Sequence, residues 1–236
     1  MIPIYFFKKG KQVNVTTEPP VSNVNTGVMN IDSMRFYGDS ITYGMSADGG
    51  LDYASKISQY FNVTKNNSAI SGTTLVNSYP NNFRESCYGS VPNKGVLKEF
   101  LLIAYGTNDG RSEHPYSTPP NHTPAMFFSQ YQESIDIILA KGWLVSEIIL
   151  LTPFYVPDVD LATYSTDRAH YEVYVQNVKD TATANGIVYF DVYTYMKNNG
   201  GNSLISGDNV HPTNAGHELI FQGLKAVLNS IIKIKV

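Results

Sequence analysis

Phe36-Tyr37-Gly38-Asp39-Ser40-Ile41-Thr42-Tyr43-Gly44 sets a serine at the mouth of a short apolar run, and the reading of the whole chain turns on the segments downstream of it. Three come in order: Asn67-Ser68-Ala69-Ile70-Ser71-Gly72-Thr73-Thr74, then Gly106-Thr107-Asn108-Asp109, then Asp208-Asn209-Val210-His211-Pro212. Each lies at the end of an apolar run. Singly they are turn grammar, since Gly takes positive φ, Asp and Ser bond back to nearby backbone, and Pro212 suits the first position of a helix. Asn108-Asp109-Gly110 likewise reads as a turn after a strand. Turn chemistry accounts for each loop, but not for the joint occurrence of Ser40, Gly72, Asn108, Asp208 and His211.

From residue 33 the chain alternates apolar strand candidates with helical patterns, which argues for a parallel sheet with helices on both faces. Strands are expected at 34–37, 100–105, 147–151 and 187–190, with a weaker one at 63–67. Helices are expected at 53–61, 125–141, 169–185 and 213–232, the third closed by Gly186 as a C-terminal cap. Five strands in this pattern predict a flavodoxin-like, three-layer α/β/α fold whose ligand crevice lies beyond the carboxyl ends of the strands. All four segments fall there. Residues 1–31 read as an N-terminal arm or short hairpin, with residues 32–236 forming one domain. No internal repeat, phosphate loop, dinucleotide fingerprint or Gly-x-Ser-x-Gly elbow is present.

In these four blocks the chain resembles the SGNH hydrolases, also called the GDSL esterase and lipase family, over about residues 33–232. The resemblance implies the same α/β/α fold and an SGNH hydrolase domain spanning 32–236. It also implies an oxyanion hole made of the Ser40 backbone N–H, the Gly72 backbone N–H and the Asn108 side-chain amide. Glycine at position 72 would let backbone approach a substrate closely.

The chemistry of the residues agrees with that reading. A serine hydroxyl is a weak nucleophile at neutral pH, so Ser40 needs a base to take its proton. His211 is the candidate, because a histidine with a reference pKa near ~6.5 suits proton traffic. Asp208, three residues earlier, can accept the other imidazole N–H and fix the tautomer. The rival is a metal site built from Asp208, His211 and His217, although His217 is expected on a polar face of the last helix or at a surface contact. His114 and His122 are candidates only to line a substrate entrance within the loop 111–124. No cofactor and no metal are expected.

Composition narrows the partners. With 236 residues, 42% hydrophobic and 16% charged, and a net charge of −3, nothing favours nucleic acid or an anionic membrane. The single cysteine, Cys87, excludes an intramolecular disulfide and lies in no cysteine-enzyme signature. Met1-Ile2-Pro3-Ile4-Tyr5-Phe6-Phe7 is too short for a membrane span and lacks a basic start, so the expectation is a cytoplasmic protein by default, or part of a larger surface or virion assembly. The arm offers a contact to a second copy or a carrier.

The family resemblance does not choose a substrate. The chain has 17 tyrosines, several placed near expected strand ends: Tyr43, Tyr79, Tyr88, Tyr105, Tyr116 and Tyr155. Flat rings with a polar tip suit sugar faces, although a general Tyr bias of the source explains them as well. The expected activity is therefore cleavage of short acyl esters, acetyl on a carbohydrate first, through an acyl-enzyme. The alternatives are a general short-chain aryl or alkyl esterase or thioesterase and, from another class, a glycan-binding module on a retained hydrolase fold.

Overall fold

Glu99–Ala104 is buried at every position, as only a strand covered on both faces allows. The structure, a computed structural model, describes residues 31–76, 82–111, 123–164 and 166–232. Its strands are β1 (Ser33–Gly38), β2 (Thr64–Asn67), β3 (Glu99–Ala104), β4 (Ile148–Leu151) and β5 (Val188–Phe190). They form one parallel sheet in the order β2-β1-β3-β4-β5, which is the flavodoxin-like order.

Alternation along the strands divides the interior into two cores, because successive side chains leave a strand on opposite faces. Phe36, Phe100, Leu102, Ile149, Leu151 and Phe190 point into one. That face is covered by α2 (Tyr53–Phe61), α8 (Val192–Asn198) and α9 (Asn214–Ile231), through residues such as Ile57, Met196, Ile220 and Leu224. Tyr37, Leu101, Ile103, Ile148 and Leu150 point into the other, against α3 (Phe83–Gly89), α5 (Pro124–Ala140) and α7 (Arg168–Asn185). Phe127, Tyr131, Ile135, Tyr174 and Val178 supply the facing side chains.

Local chemistry fixes where the long helices begin and end. Asp52, Thr123, Asp167 and Thr213 each turn a side-chain oxygen onto a backbone N–H of the first turn, which satisfies a donor the helix itself leaves orphaned. Gly186, in the left-handed conformation, closes α7 as expected. Three shorter helices, α1 (Ser40–Tyr43), α4 (Thr107–Arg111) and α6 (Asp158–Thr163), come after strands β1, β3 and β4. The sequence carries no readable signal for these or for α3 and α8, since four to seven residues hold too few turns to show a period. In particular, Asn108-Asp109-Gly110 is not a turn but the middle of α4.

The expected arm over residues 1–31 lies outside the described residues except for Ile31. So do His114 and His122, Tyr79 and Tyr116, and the side chains of Cys87 and Tyr88. Among the described residues, no helix is long and apolar enough to cross a membrane.

Leu102, at the centre of β3, is 1% exposed. Leu102→Ala should therefore lower the unfolding free energy by about 2–5 kcal/mol, read in urea as a lower midpoint with an unchanged slope.

Candidate active site

The carboxyl ends of β1 and β3 lie side by side, with Gly38 in register with Ala104. Gly38 is needed for close approach and not, as expected, for a positive φ. A Cβ there would sit 2.6 Å from the Thr42 Cβ and 2.9 Å from the Ala104 carbonyl oxygen. Its absence lets α1 start directly on the end of β1. Asp39 caps that short helix, its Oδ1 accepting from the Ile41 N–H at 2.9 Å. Ser40 is the first residue of α1 and only 7% exposed.

The second block is held from the third. Asp109 accepts the Leu75 N–H with both carboxylate oxygens, at 3.1 and 3.0 Å, and the Val76 N–H at 3.1 Å. Its neighbour Asn108 donates from Nδ2 to the Thr73 carbonyl at 2.8 Å. Between these clamps and Ser68, Gly72 stands exposed with φ +77°, and a Cβ there would meet nothing within 4 Å. Glycine at this position is thus set by backbone conformation, which other residues adopt at a cost.

The fourth block is a tight loop. Ile205 and Pro212 form an isolated bridge, the Ser206 N–H donates to the His211 carbonyl at 2.8 Å, and Asn209 turns the chain with φ +62°. Asp208 Oδ1 accepts from Ser206 Oγ at 2.7 Å and from the Val210 and His211 amides at 2.9 Å each. Asp208 Oδ2 lies 2.7 Å from His211 Nδ1, and His211 Nε2 lies 2.8 Å from Ser40 Oγ. His211 and Ser40, 171 positions apart in sequence, are thereby joined with Asp208 in one hydrogen-bonded chain, Asp208–His211–Ser40.

Burial and pairing separate the carboxylates by role. Partial burial raises the Asp208 carboxyl, but bonds from the Ser206 hydroxyl, the His211 ring and the two amides prevail and hold it well below the usual range. Asp39, 1% exposed, goes the other way. Burial pushes it up to about 7, against the Ile41 amide, with Asp109 adding and Arg111 opposing. Its Oδ2 has no hydrogen-bond partner, so ionisation would leave a buried charge unanswered. Burial likewise pushes Asp109 up to about 6 against the pull of the Leu75 and Val76 amides.

Several expectations are corrected. His217 is not on a polar or exposed face: it is fully buried, stacked on Tyr53, with Nε2 3.5 Å from the Met45 carbonyl. Burial pulls it down to about 4, as apolar surroundings do to an imidazolium. It does not join Asp208 and His211 as a ligand set, and no group of metal-ligating side chains gathers among the described residues. Tyr105 and Tyr155 are buried, the first stacked on Phe83 at 4.8 Å, so neither offers a ring face to a sugar. Tyr43, on α1, is 57% exposed.

The sequence matches the GDSL-like lipase/acylhydrolase family over residues 36–219, a span that takes in all four blocks. This chain belongs to that family. Solved GDSL hydrolases share its fold. A lipase/acylhydrolase from Enterococcus faecalis, 19% identical, superposes with a TM-score of 0.68 over 87% of this chain and 100% of its own. Axe2, an acetylxylan esterase from Geobacillus stearothermophilus, is 21% identical with a TM-score of 0.61, covering 86% and 95%. A member of the lipolytic G-D-S-L family from Veillonella parvula gives 18% and 0.63, covering 84% and 99%. No match was found among curated proteins.

The residues behind the site of this GDSL hydrolase leave little mark in its sequence. Asp39 and Asp109 stand inside the blocks, yet nothing in their spacing shows that they are buried. Arg111 and Asp160, which pair through two bonds of 2.6 and 2.8 Å, are 49 positions apart and carry no motif.

The raised carboxyls set a pH dependence. Between about pH 4 and pH 7, Asp39 and Asp109 hold more protons folded than unfolded, so stability falls as pH rises through that window and levels off above it. Asp39→Asn keeps the cap acceptor and removes one of these ionisations. Urea unfolding at about pH 5 and about pH 8 should then show a smaller loss of stability in the variant than in the parent.

Proposed function

We propose that this GDSL hydrolase cleaves carboxylic esters with Ser40 as nucleophile, His211 as base and Asp208 as the carboxylate that orients it. The observation that carries the reading is the Asp208–His211–Ser40 chain, with contacts of 2.7 and 2.8 Å, in hydrogen-bond reach for proton transfer. His211 Nε2 takes the Ser40 proton as Oγ attacks the ester carbon, and the Nδ1–H stays on His211, donated to Asp208, which stabilises the imidazolium. The proton passes to the leaving alcohol and an acyl-Ser40 remains. Water then attacks the acyl group by the same route, with His211 again as base.

The tetrahedral oxygen needs donors already in place. The Ser40 N–H at the start of α1, the Gly72 N–H and the Asn108 Nδ2 are the proposed set. The bond from Nδ2 to the Thr73 carbonyl at 2.8 Å fixes where the Asn108 amide points.

For substrate class we favour short acyl esters, acetyl on a carbohydrate. Support comes from the acetylxylan esterase among its structural neighbours and from the exposed Tyr43, three residues from Ser40, as a flat surface for a sugar ring. Purified protein is compared on acetylated xylo-oligosaccharides and on p-nitrophenyl esters of rising chain length, with the acetylated sugar expected to give the highest kcat/KM. A kcat/KM that climbs with acyl length would assign a lipid or long-chain ester in its place.

Ser40→Ala should abolish hydrolysis with the fold intact, and a fluorophosphonate probe should label Ser40 in the parent; labelling of Ser71 or Ser206 would refute the nucleophile. Asp208→Asn should lower kcat by about 10²–10⁴, by favouring the wrong tautomer. Asn108→Ala should lower kcat by about 10²–10³ with KM little changed, as fits a contact made in the transition state.

A further inference from the structure

An oxyanion donor on an asparagine works only if the amide faces the right way, because its two ends differ by a single exchange of O and NH2. In this chain both ends are read. Nδ2 donates to the Thr73 carbonyl at 2.8 Å, and Oδ1 accepts from Arg111 Nη1 at 3.3 Å. The flipped amide would set NH2 against a guanidinium and oxygen against a carbonyl, losing both bonds.

Arg111 is itself fixed. Its Nε and Nη2 make a two-pronged pair with Asp160 of α6, at 2.6 and 2.8 Å, with side chains only 12% and 6% exposed. The guanidinium also lies over the Tyr164 ring, 4.8 Å from its centre. A two-pronged carboxylate contact leaves an arginine little freedom to rotate. The third nitrogen is thereby aimed at Asn108, three residues back on the same short helix.

We propose that Arg111, held by Asp160, is a positioning residue that orients the Asn108 amide and polarises it for oxyanion binding. A cation donating to Oδ1 draws electron density from the amide and strengthens its N–H groups as donors, the cooperative effect expected of chained hydrogen bonds. The inference rests on the oxyanion role given to Asn108 above. It adds an element from after β4, α6, to a hole otherwise built from the loops after β1, β2 and β3.

The test is a double-mutant cycle on kcat and KM with p-nitrophenyl acetate. Arg111→Met keeps an aliphatic stem against Tyr164 and should lower kcat about 10- to 10²-fold, with KM changed less than about 2-fold, as a misplaced but present donor would. Because that variant leaves Asp160 a buried, unpaired carboxylate, Arg111→Met/Asp160→Asn, which removes both charges, is measured beside it and should lose the same factor. In the Asn108→Ala background the Arg111 change should cost nothing further. Full additivity, with the same fold-loss whether or not Asn108 is present, would overturn the proposal and leave the ion pair a purely structural contact. An unchanged kcat in the double-charge variant, with normal circular dichroism, would overturn it too. If Asn108→Ala alone left kcat intact while Ser40→Ala removed it, the oxyanion assignment of Asn108 would fall, and this inference with it, but the nucleophile would stand.

Discussion

A parallel sheet buried on both faces forces every connection between neighbouring strands to run back along a covering helix. The carboxyl ends of all five strands must then crowd along one edge, and the segments that leave them have to share that edge. In this chain the constraint brings together the start of α1, the Gly72 loop and α4, with α6 beside them. The loop that carries His211 comes in from the far side, after β5 and α8, and reaches the same place because α9 packs back against α2 and α8. Nothing local in sequence could join Ser40 to His211; the sheet order does.

Rigidity at that edge comes from polar groups in low-dielectric surroundings. Asp109 commits its carboxylate to two backbone amides of the neighbouring loop, and Asn108 takes a carbonyl of the same loop. Asp39 caps α1 while keeping one oxygen unpartnered. Each such group costs desolvation and gives fixed geometry in exchange, as expected where donors must be in place before charge develops. The loop after β5 solves the problem differently. Asp208 is 45% exposed at its side chain and stays ionised because four donors converge on it.

Legibility from sequence depends on which signals are periodic. The four clear strands and the four long helices carry apolar side chains at regular spacing, so their positions can be read to within a residue or two, and the parallel architecture with them. Thr64–Asn67 is weak because its side chains are polar and largely exposed, leaving only the alternation of its neighbours to reveal it. The short helices escape notice because a single turn has no period. His217 misleads by residue type: its neighbours Leu219 and Ile220 are apolar, but the histidine itself enters the core beside Tyr53. The residues of the candidate site stand out in the blocks, whereas the clamps behind them involve pairs 33 to 49 positions apart that only the folded chain brings together.

The polar outer strand has a consequence of its own. Sheets end in two rows of unpaired backbone groups, and such rows are templates for a strand from another molecule. Among the described residues, one end of this sheet is Thr64-Lys65-Asn66-Asn67, whose lysine is drawn toward Asp52 and Ser55 at the start of the covering helix. At the other stands β5, three residues long. A strand approaching these described edges would meet a lysine and amide-bearing side chains at the first and only a three-residue ladder at the second, so the hydrophilic composition that hides β2 from sequence reading also makes it a poor template for edge-to-edge pairing.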